Sequence, residues 1–377
     1  MVDFRKWSDM SGALQAVYSN SRSTTVFPAI AMTSTTSPGI NVFRFHGNQI
    51  GTKYANPAGF SDACYEVAWS NLPGSKTPDI AVASSNSPYI HAWAWNYDSG
   101  FGSKYSNPVT LPTGSARGVD FFGNGSTQVY DVAVSFNASP YVSVYPWTTG
   151  VGFGSKYANP AVLPGSGVNN TDGVNFRYTA GGSQIAVASS VSPYVFVYPW
   201  TTGSGFGSKY ADPGTLPGGP ATAVAFAEDN IAVSTTISPY VSVYPWTTGS
   251  GFGSKYADPA TLPTGAAYDV SWYNISAEAI AVAHNNSPYM SVYQFTAGFG
   301  TKYSDPSTLP TGTGYGVDFT NGVAAGSRSL AVGHAISPYV SVYPFGLPSF
   351  VGIGTKSADF TTLPPGQVTS VKFSPNS

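Results

Sequence analysis

Short segments in which small and large residues alternate recur along most of the chain. Ile-Ala-Val-Ala runs, as at residues 80–83, 185–188 and 280–283, alternate with Tyr-Val-Ser-Val-Tyr runs, as at 141–145. A period of two is typical of β-strands, because successive side chains point to opposite faces of a sheet. No stretch of ten residues within these repeats shows a helical period, so the pattern predicts an all-β protein.

The alternating segments belong to a unit of about 50 residues that occurs seven times. Because proline fixes φ and keeps the preceding residue extended, the Ser-Pro pair in each unit predicts a turn between two strands. Repeats of this length are typical of stacked or closed repeat architectures. The recurring phrase is Ser-Pro-Tyr-Val-Ser-Val-Tyr-Pro-Trp, exact or varied, with its first proline at Pro38, Pro88, Pro140, Pro193, Pro239, Pro288 and Pro338.

Each unit predicts four short strands. Strand A is a Val-x-Phe or Val-x-Trp triplet, strand B is the Ile-Ala-Val-Ala run, and strand C is the Tyr-Val-Ser-Val-Tyr run. Strand D is predicted around Lys-Tyr-Ala-Asp-Pro and the Leu-Pro that follows it. Because neighbouring units can cover both faces of each small sheet, the repeats predict a seven-bladed β-propeller over residues 28–377. Residues 1–27 precede it as an N-terminal arm or cap.

The two ends of the chain predict how the ring closes. The C-terminal segment Ser370–Ser374 reads as a strand A with no strands B to D after it. The first unit has strands B and C but lacks a clear strand A. We therefore expect Val371–Phe373 to complete the first blade, which would remove the exposed edges of an open array.

The composition excludes several functional classes. Only 9% of the residues are charged and 16 are Lys or Arg, which is too few for the basic clusters that bind nucleic acid. No apolar run is long enough to cross a bilayer, and the N-terminus lacks the apolar region of a signal peptide. A single cysteine, Cys64, excludes an internal disulfide.

Titratable residues give little reason to expect catalysis or a metal. Asp120 and Asp318 occupy equivalent positions of strand A, and a glycosidase needs two such carboxyl groups close together. The repeats contain no Gly-x-Ser-x-Gly motif of a serine hydrolase. Equivalent histidines in different blades are poorly placed to share a metal ion. We expect no enzyme activity, no metal and no cofactor.

Repeated aromatic residues are the candidate ligand-binding side chains. On a charge-poor surface they would stack on sugar rings, with one site in each blade. The alternative is packing between blades, where an aromatic ring buries a large apolar area and its polar tip reaches a backbone group. The candidates are Tyr145, Trp147, Tyr198, Trp200, Tyr244 and Trp246.

Seven of the ten lysines occupy one column of the repeat, three residues before an Asn or Asp. One interpretation is structural: each lysine packs its stem on the blade and pairs its ammonium group locally. The other is a ring of positive charge that contacts an anionic glycan or a protein partner. The lysines are Lys53, Lys104, Lys156, Lys209, Lys255, Lys302 and Lys356.

The N-terminal 27 residues lie outside the repeat. Trp7, Met10, Leu14 and Tyr18 follow a roughly helical spacing. They predict either a cap over one end of the ring or an arm that docks the propeller on a partner.

The order of strands A, B and C resembles that of WD40-like propeller units, over about residues 28–377. The Gly-His and Trp-Asp signatures of that family are absent, because strand C ends in Pro-Trp-Thr-Thr-Gly, as at 199–203. Its structural hydrogen-bond tetrad is therefore not carried over. The amino-acid sequence of the repeats is also similar to that of repeats in uncharacterised proteins of bacteriophages and aquatic bacteria. The WD40-like resemblance implies a platform for binding partners, which fold alone does not identify.

These observations predict a non-catalytic structural or binding module. The leading hypothesis is a bacteriophage virion component, in a tail, fibre or decoration, that contacts other virion proteins or the host surface within a larger assembly. One alternative is a lectin that binds a cell-surface glycan at one site per blade. Another is an intracellular WD40-type scaffold, which would place the protein in the cytoplasm.

Overall fold

The computed structural model describes residues 28–46, 48–70, 77–123, 129–165, 173–273, 278–320, 328–346 and 352–375. These residues form 27 strands in seven antiparallel sheets, and no helix occurs within the described ranges. None of them belongs to a helix long and apolar enough to span a membrane. The sheets are the seven blades of a β-propeller, which confirms the predicted fold.

The four strands of a blade run outward from the axis in the order A, B, C and D. The A strands are β27 (Val368–Phe373) in blade 1, then β4 (Cys64–Trp69), β8 (Ala116–Gly123), β12 (Val174–Arg177), β16 (Ala221–Ala227), β20 (Ala267–Tyr273) and β24 (Gly314–Phe319) in blades 2 to 7. The B strands of blades 1 to 7 are β1 (Ala29–Ser34), β5 (Asp79–Ser84), β9 (Val129–Phe136), β13 (Ser183–Ala188), β17 (Asn230–Thr235), β21 (Ala279–His284) and β25 (Ser329–His334).

The outer half of each blade consists of strands C and D. The C strands are β2 (Ile40–His46), β6 (Ile90–Asn96), β10 (Val142–Thr148), β14 (Val195–Thr201), β18 (Val241–Thr247), β22 (Met290–Phe295) and β26 (Val340–Pro344). The D strands of blades 1 to 6 are β3 (Gln49–Lys53), β7 (Gly100–Lys104), β11 (Gly152–Phe153), β15 (Gly205–Phe206), β19 (Gly251–Phe252) and β23 (Phe299–Lys302). In blade 7 a single bridge between Phe345 and Ile353 takes the place of strand D.

Strand D lies earlier in the repeat than the sequence predicts. It begins at Gly-Phe in blades 2 to 5, at Gln49 in blade 1 and at Phe299 in blade 6. It ends no later than the repeated lysine, so the Tyr-Ala-Asp-Pro and Leu-Pro segments lie outside the strand. The last contact with strand C comes from the tyrosine after the lysine, as where the N–H of Tyr157 donates to the carbonyl of Val144 (2.9 Å), and the prolines farther on have no N–H to donate. Strand C is longer than predicted, since β10 continues through Pro146 and Trp147 to pair with Phe153.

The C-terminal strand closes the ring as predicted. Strand β27 pairs with β1, with Val371 opposite Met32. The backbone N–H of Ala29 donates to Ser374 Oγ (2.9 Å), and the N–H of Ser374 donates to the carbonyl of Ala29 (2.8 Å). Both ends of the propeller are therefore held in the same blade.

The hydrophobic core of the described residues is divided into seven clusters, each of which lies between two adjacent blades. One of them packs Ala81 and Ile90 of blade 2 against Val119 and Trp147 of blade 3. Because small residues of strand B face large aromatic residues of the neighbouring blade, each blade needs its neighbours to bury its faces. The stability of the fold therefore depends on the completeness of the ring.

Candidate functional site

One end of the propeller is built from seven similar turns between strands B and C. Each contains a cis Ser-Pro bond followed by a residue at a φ near +70°. In blade 5 the N–H of Tyr240 donates to the carbonyl of Ile237 (3.0 Å), which places Ile237 at the tip. We call this end the turn face; it comprises residues 35–39, 85–89, 137–141, 190–194, 236–240, 285–289 and 335–339 and the D-to-A connections packed beside them.

The turn of blade 1 differs from the other six because it has Gly39 at the position where they have a tyrosine. Gly39 has a φ of +74°, and a Cβ there would lie 1.8 Å from the carbonyl oxygen of Asp62. No other residue fits so close to that backbone, so packing against the next blade explains the glycine.

Exposed apolar side chains are concentrated on the turn face. The turn tips Val191, Ile237 and Ile336 are 41%, 53% and 56% exposed. Of the ten exposed large hydrophobic residues in the described ranges, only Val151 and Tyr178 lie outside the B-to-C turns and the D-to-A connections. The B-to-C turns and the D-to-A connections therefore expose more large apolar side chains than the hairpins at the opposite end of the ring.

The axial channel, of about 610 Å³, is lined by side chains of the A strands that bond from blade to blade. Each A strand is the innermost strand of its blade. The N–H groups on its unpaired edge have no neighbouring strand in the same sheet and need other acceptors. Glu66 Oε2 accepts from the N–H of Val119 (3.0 Å), and Asp120 Oδ2 accepts from that of Phe176 (2.7 Å). The other contacts of this kind join Asn175 Oδ1 to Phe226 N (2.9 Å), Asp269 Oδ2 to Val317 N (2.9 Å) and Asp318 Oδ2 to Phe373 N (2.8 Å).

Ring closure brings Lys372 among these carboxylates. Its Nζ lies 4.0 Å from Asp318 Oδ1. Burial would lower the pKa of Lys372, but the neighbouring carboxylates, Asp269 and Asp318 foremost, outweigh it and hold that pKa above its ordinary value. Burial raises the pKa of Glu66 to about 8, although Lys372 opposes the shift. Burial likewise raises the pKa of Asp120 and of Asp318 to about 6.

The channel carboxylates link neighbouring blades by hydrogen bonds. Each of Glu66, Asp120, Asp269 and Asp318 accepts a hydrogen bond from the backbone of the following blade. In the part of the chain that the structure describes, no three His, Cys, Asp or Glu side chains are grouped to hold a metal ion.

The raised pKa of Glu66 predicts a pH-dependent stability. The folded protein keeps a proton on Glu66 up to about pH 8, whereas the unfolded chain releases it near the ordinary pKa of 4.5, so rising pH favours unfolding in this range. A shift of one pKa unit corresponds to about 1.4 kcal/mol of stability, and solvent in the channel reduces the effect. Between pH 5 and pH 8 we therefore expect the free energy of unfolding of wild type to fall by on the order of 2 kcal/mol relative to that of Glu66→Gln. Urea unfolding of both proteins across this range measures the difference. A constant difference would contradict the shift.

The predicted aromatic residues lie between blades. Trp147, Trp200 and Trp246 are 1–3% exposed, and the tyrosine two residues before each is fully buried. Tyr145, Tyr198 and Tyr244 donate their hydroxyls to carbonyls of the D-to-A connections, at Thr110 (2.8 Å), Val162 (2.7 Å) and Thr215 (2.9 Å). In this position none of the six rings presents a face on which a sugar could stack.

Two of the tryptophans donate to a buried carboxylate that the sequence reasoning missed. Asp131 accepts from Trp200 Nε1 (2.9 Å), Thr202 Oγ1 (2.7 Å) and the Tyr157 hydroxyl (2.7 Å). Asp79 makes the same three contacts with Trp147, Thr149 and Tyr105. We call each set a carboxylate knot. In the sequence, each of these aspartates could have been recognised because it directly precedes the apolar run of strand B.

The repeated lysines pair locally. Lys209, Lys255, Lys302 and Lys356 form ion pairs with the aspartate three residues on, and their side chains are only 12–14% exposed. Lys156 donates to Asn159 in the same way. Lys53 and Lys104 end the D strands of blades 1 and 2. For the paired lysines, this arrangement corresponds to the structural interpretation of the column.

The proposed docking residues Trp7, Met10, Leu14 and Tyr18 lie outside the described residues. Whether residues 1–27 cap the ring or dock it stays a prediction.

Solved structures with the same architecture are similar to this chain only in fold. A proposed 6-phosphogluconolactonase of Bacteroides fragilis is 12% identical, with 93% of this chain and 99% of that chain covered and a TM-score of 0.63. A Lactobacillus plantarum protein is 15% identical, with 92% and 99% covered and a TM-score of 0.63. No family model matches the chain, and no match was found among the curated proteins. At these identities the comparisons show a β-propeller and leave its activity open.

Proposed function

We propose that this propeller is a non-catalytic binding module that attaches to a larger assembly through its turn face. The assembly we propose is a bacteriophage particle, with the protein in its tail, a fibre or an outer decoration. The observation that carries the attachment is the concentration of exposed apolar side chains on one end of the ring.

The turn face supports this function by its geometry. Val191 and Ile237 belong to neighbouring blades, and Gly165 and Gly219 of the D-to-A connections pack directly against them. Leu163 and Leu216, on the same connections, are each 38% exposed. Apolar side chains held on short, packed turns lose little further conformational freedom when a partner covers them, which favours binding.

The assignment to a particle is supported by composition and by the resemblance of the repeats. The amino-acid sequence of the repeats is similar to that of repeats in bacteriophage proteins. With 9% charged residues and a formal net charge of −2, the chain has little charge repulsion to keep it apart from other molecules. Such a surface suits a protein that is permanently packed. The absence of a catalytic role is proposed because the channel carboxylates already brace the blades.

Changing two turn tips is expected to detach the protein from its assembly. Ile237→Ser with Ile336→Ser removes apolar contacts from the turn face without touching the core. We expect the fraction of the protein that sediments with a heavy, nuclease-resistant particle in a density gradient of source lysate to fall at least about tenfold.

Val151→Ser is the matched control, because Val151 is 74% exposed on a C-to-D hairpin at the other end of the ring. It should sediment as wild type does. Wild-type protein found only in the light soluble fraction would contradict the particle assignment and favour an intracellular scaffold. Equal sedimentation of the double variant and the control would contradict attachment through the turn face.

A further inference from the structure

The A strands carry one extra residue at the end that adjoins the turn face. In every blade except blade 4 the pairing between strands A and B skips one residue of strand A there, opposite the last two residues of strand B. Such bulges free a side chain from the ladder and redirect it. Because strand A is the innermost strand, these residues surround the axis at the turn face. We call them the inner rim: Tyr65, Arg117, Thr222, Tyr268, Tyr315 and Thr369.

Arg117 on the inner rim has no partner for its charge. Its Nε and Nη1 are buried and have no hydrogen-bond acceptor, and none of the ion pairs among the described residues includes it. By contrast, Arg44 donates to the carbonyl of Asp98 (2.8 Å), and Arg177 pairs with Asp229 (2.9 Å). A charged donor withdrawn from water without an acceptor costs free energy, which an anionic ligand would offset.

Tyr65 of the preceding blade holds the guanidinium of Arg117 in position. The Cζ atom of Arg117 lies 3.8 Å from the centroid of the Tyr65 ring, which is a cation–π contact. Both side chains are half-buried. Because Nε and Nη1 are enclosed, Nη2 is the nitrogen left for a ligand. A guanidinium fixed on a ring loses little conformational freedom when it binds, which favours the complex.

The axial channel below the inner rim does not neutralise Arg117. Glu66 lines the channel next to the rim, but burial raises its pKa to about 8, so this carboxyl group is uncharged at neutral pH. Asp269 and Asp318 interact with Lys372, whose ammonium group compensates their charge. Because the rim offers one unpaired cation above these carboxylates, a ligand group with a single negative charge fits better than a dianionic phosphate.

We propose that Arg117 binds an acidic side chain, an Asp or Glu carboxylate, on the partner that covers the turn face. This inference rests on the proposed function and adds the chemistry of the partner. The partner surface then carries a carboxylate near the propeller axis and apolar groups around it that meet Val191, Ile237 and Ile336. The contact is a charge-assisted hydrogen bond from a partly exposed guanidinium, so salt weakens it.

The test uses the purified full chain and three capped pentapeptides of sequence Ser-Ser-X-Ser-Ser, in which X is glutamate, glutamine or phosphoserine. NMR of protein labelled with nitrogen-15 arginine follows one Nε–H signal per arginine. The signal that Arg117→Gln lacks identifies Arg117, and Arg117→Lys gives the same assignment if the glutamine variant does not fold.

We expect the glutamate peptide to shift the Arg117 signal saturably and the glutamine peptide to leave it unchanged. The phosphoserine peptide should need a higher concentration than the glutamate peptide for the same shift. The apparent affinity for the glutamate peptide should fall at least about twofold from low to high salt, because exposed charges are screened.

Arg44 provides the matched control. Its guanidinium also lies over a tyrosine ring, with Cζ 4.9 Å from the centroid of Tyr54, but it already has an acceptor and lies toward the end of β2 away from the turn face. Its signal should not respond to the glutamate peptide. In the lysate gradient, Arg117→Gln should lower the particle-bound fraction at least about tenfold, whereas Arg44→Gln should sediment as wild type does.

The outcomes separate this inference from the proposed function. No shift with the glutamate peptide, equal shifts of Arg44 and Arg117, or tighter binding of the phosphoserine peptide would each overturn the inference. Particle binding that is lost in Ile237→Ser with Ile336→Ser but kept in Arg117→Gln would also overturn it. A saturable glutamate shift combined with wild-type protein found only in the light fraction would support the carboxylate site and contradict the particle assignment.

Discussion

A chain that ends at residue 367 is expected to lose cooperative folding of the propeller. The truncation removes β27 and with it Val368, Val371 and Phe373, which pack against Ile30 and Phe45 of the same blade. At about 1.5–3 kcal/mol for each buried apolar side chain, the loss exceeds roughly 5 kcal/mol, which is comparable to the whole stability of many domains. Thermal and urea unfolding followed by circular dichroism measure it.

The effect reaches beyond one blade because the ring has no other closure. Without β27, β1 becomes an unpaired edge, Asp318 loses the N–H of Phe373, and the channel carboxylates lose Lys372. A synthetic peptide of residues 368–377 should restore a cooperative transition, and Lys372→Met in the full chain should retain one. A truncated protein with the unfolding midpoint of wild type would refute the role assigned to the C-terminal strand.

Asp131→Ala is expected to destabilise the protein by about 3 kcal/mol, because three donors lose their acceptor at once. They are the indole of Trp200, which is buried, the hydroxyl of Thr202 and the hydroxyl of Tyr157, which is partly buried. Asp131→Asn keeps one acceptor oxygen and should cost less. The free energy of urea unfolding at pH 7 gives both values.

Asp212→Ala is the control for loss of a carboxylate as such. Asp212 pairs with Lys209 at the surface and its side chain is 49% exposed, so removing it should cost at most about 0.5–1 kcal/mol. Equal losses for Asp131→Ala and Asp212→Ala would show that the carboxylate knot adds nothing beyond a surface ion pair. Tryptophan fluorescence of the Asp131 variants should also report the changed surroundings of Trp200.

The sequence by itself determined the architecture. The period of two in strands B and C, the Ser-Pro turns and the sevenfold recurrence are local or periodic signals, and they hold whatever the neighbours of a segment are. The ring closure was predictable for the same reason, since Val371–Phe373 repeats the strand A pattern and the first unit lacks one. Strand D was misplaced because it is only two to five residues long, which leaves almost no pattern to detect.

Only the tertiary structure decided which side chains are free to bind. Trp200 was a candidate ligand-binding residue in the sequence, but the adjacent blade covers it, whereas Ile237, which the sequence did not single out, is 53% exposed. The axial channel depends on residues from several blades that are distant in sequence, such as Asp318 and Lys372, and Arg177 likewise pairs with Asp229 of the next blade. Convergence of this kind follows from the twist and closure of the sheets, which a repeat pattern does not encode residue by residue.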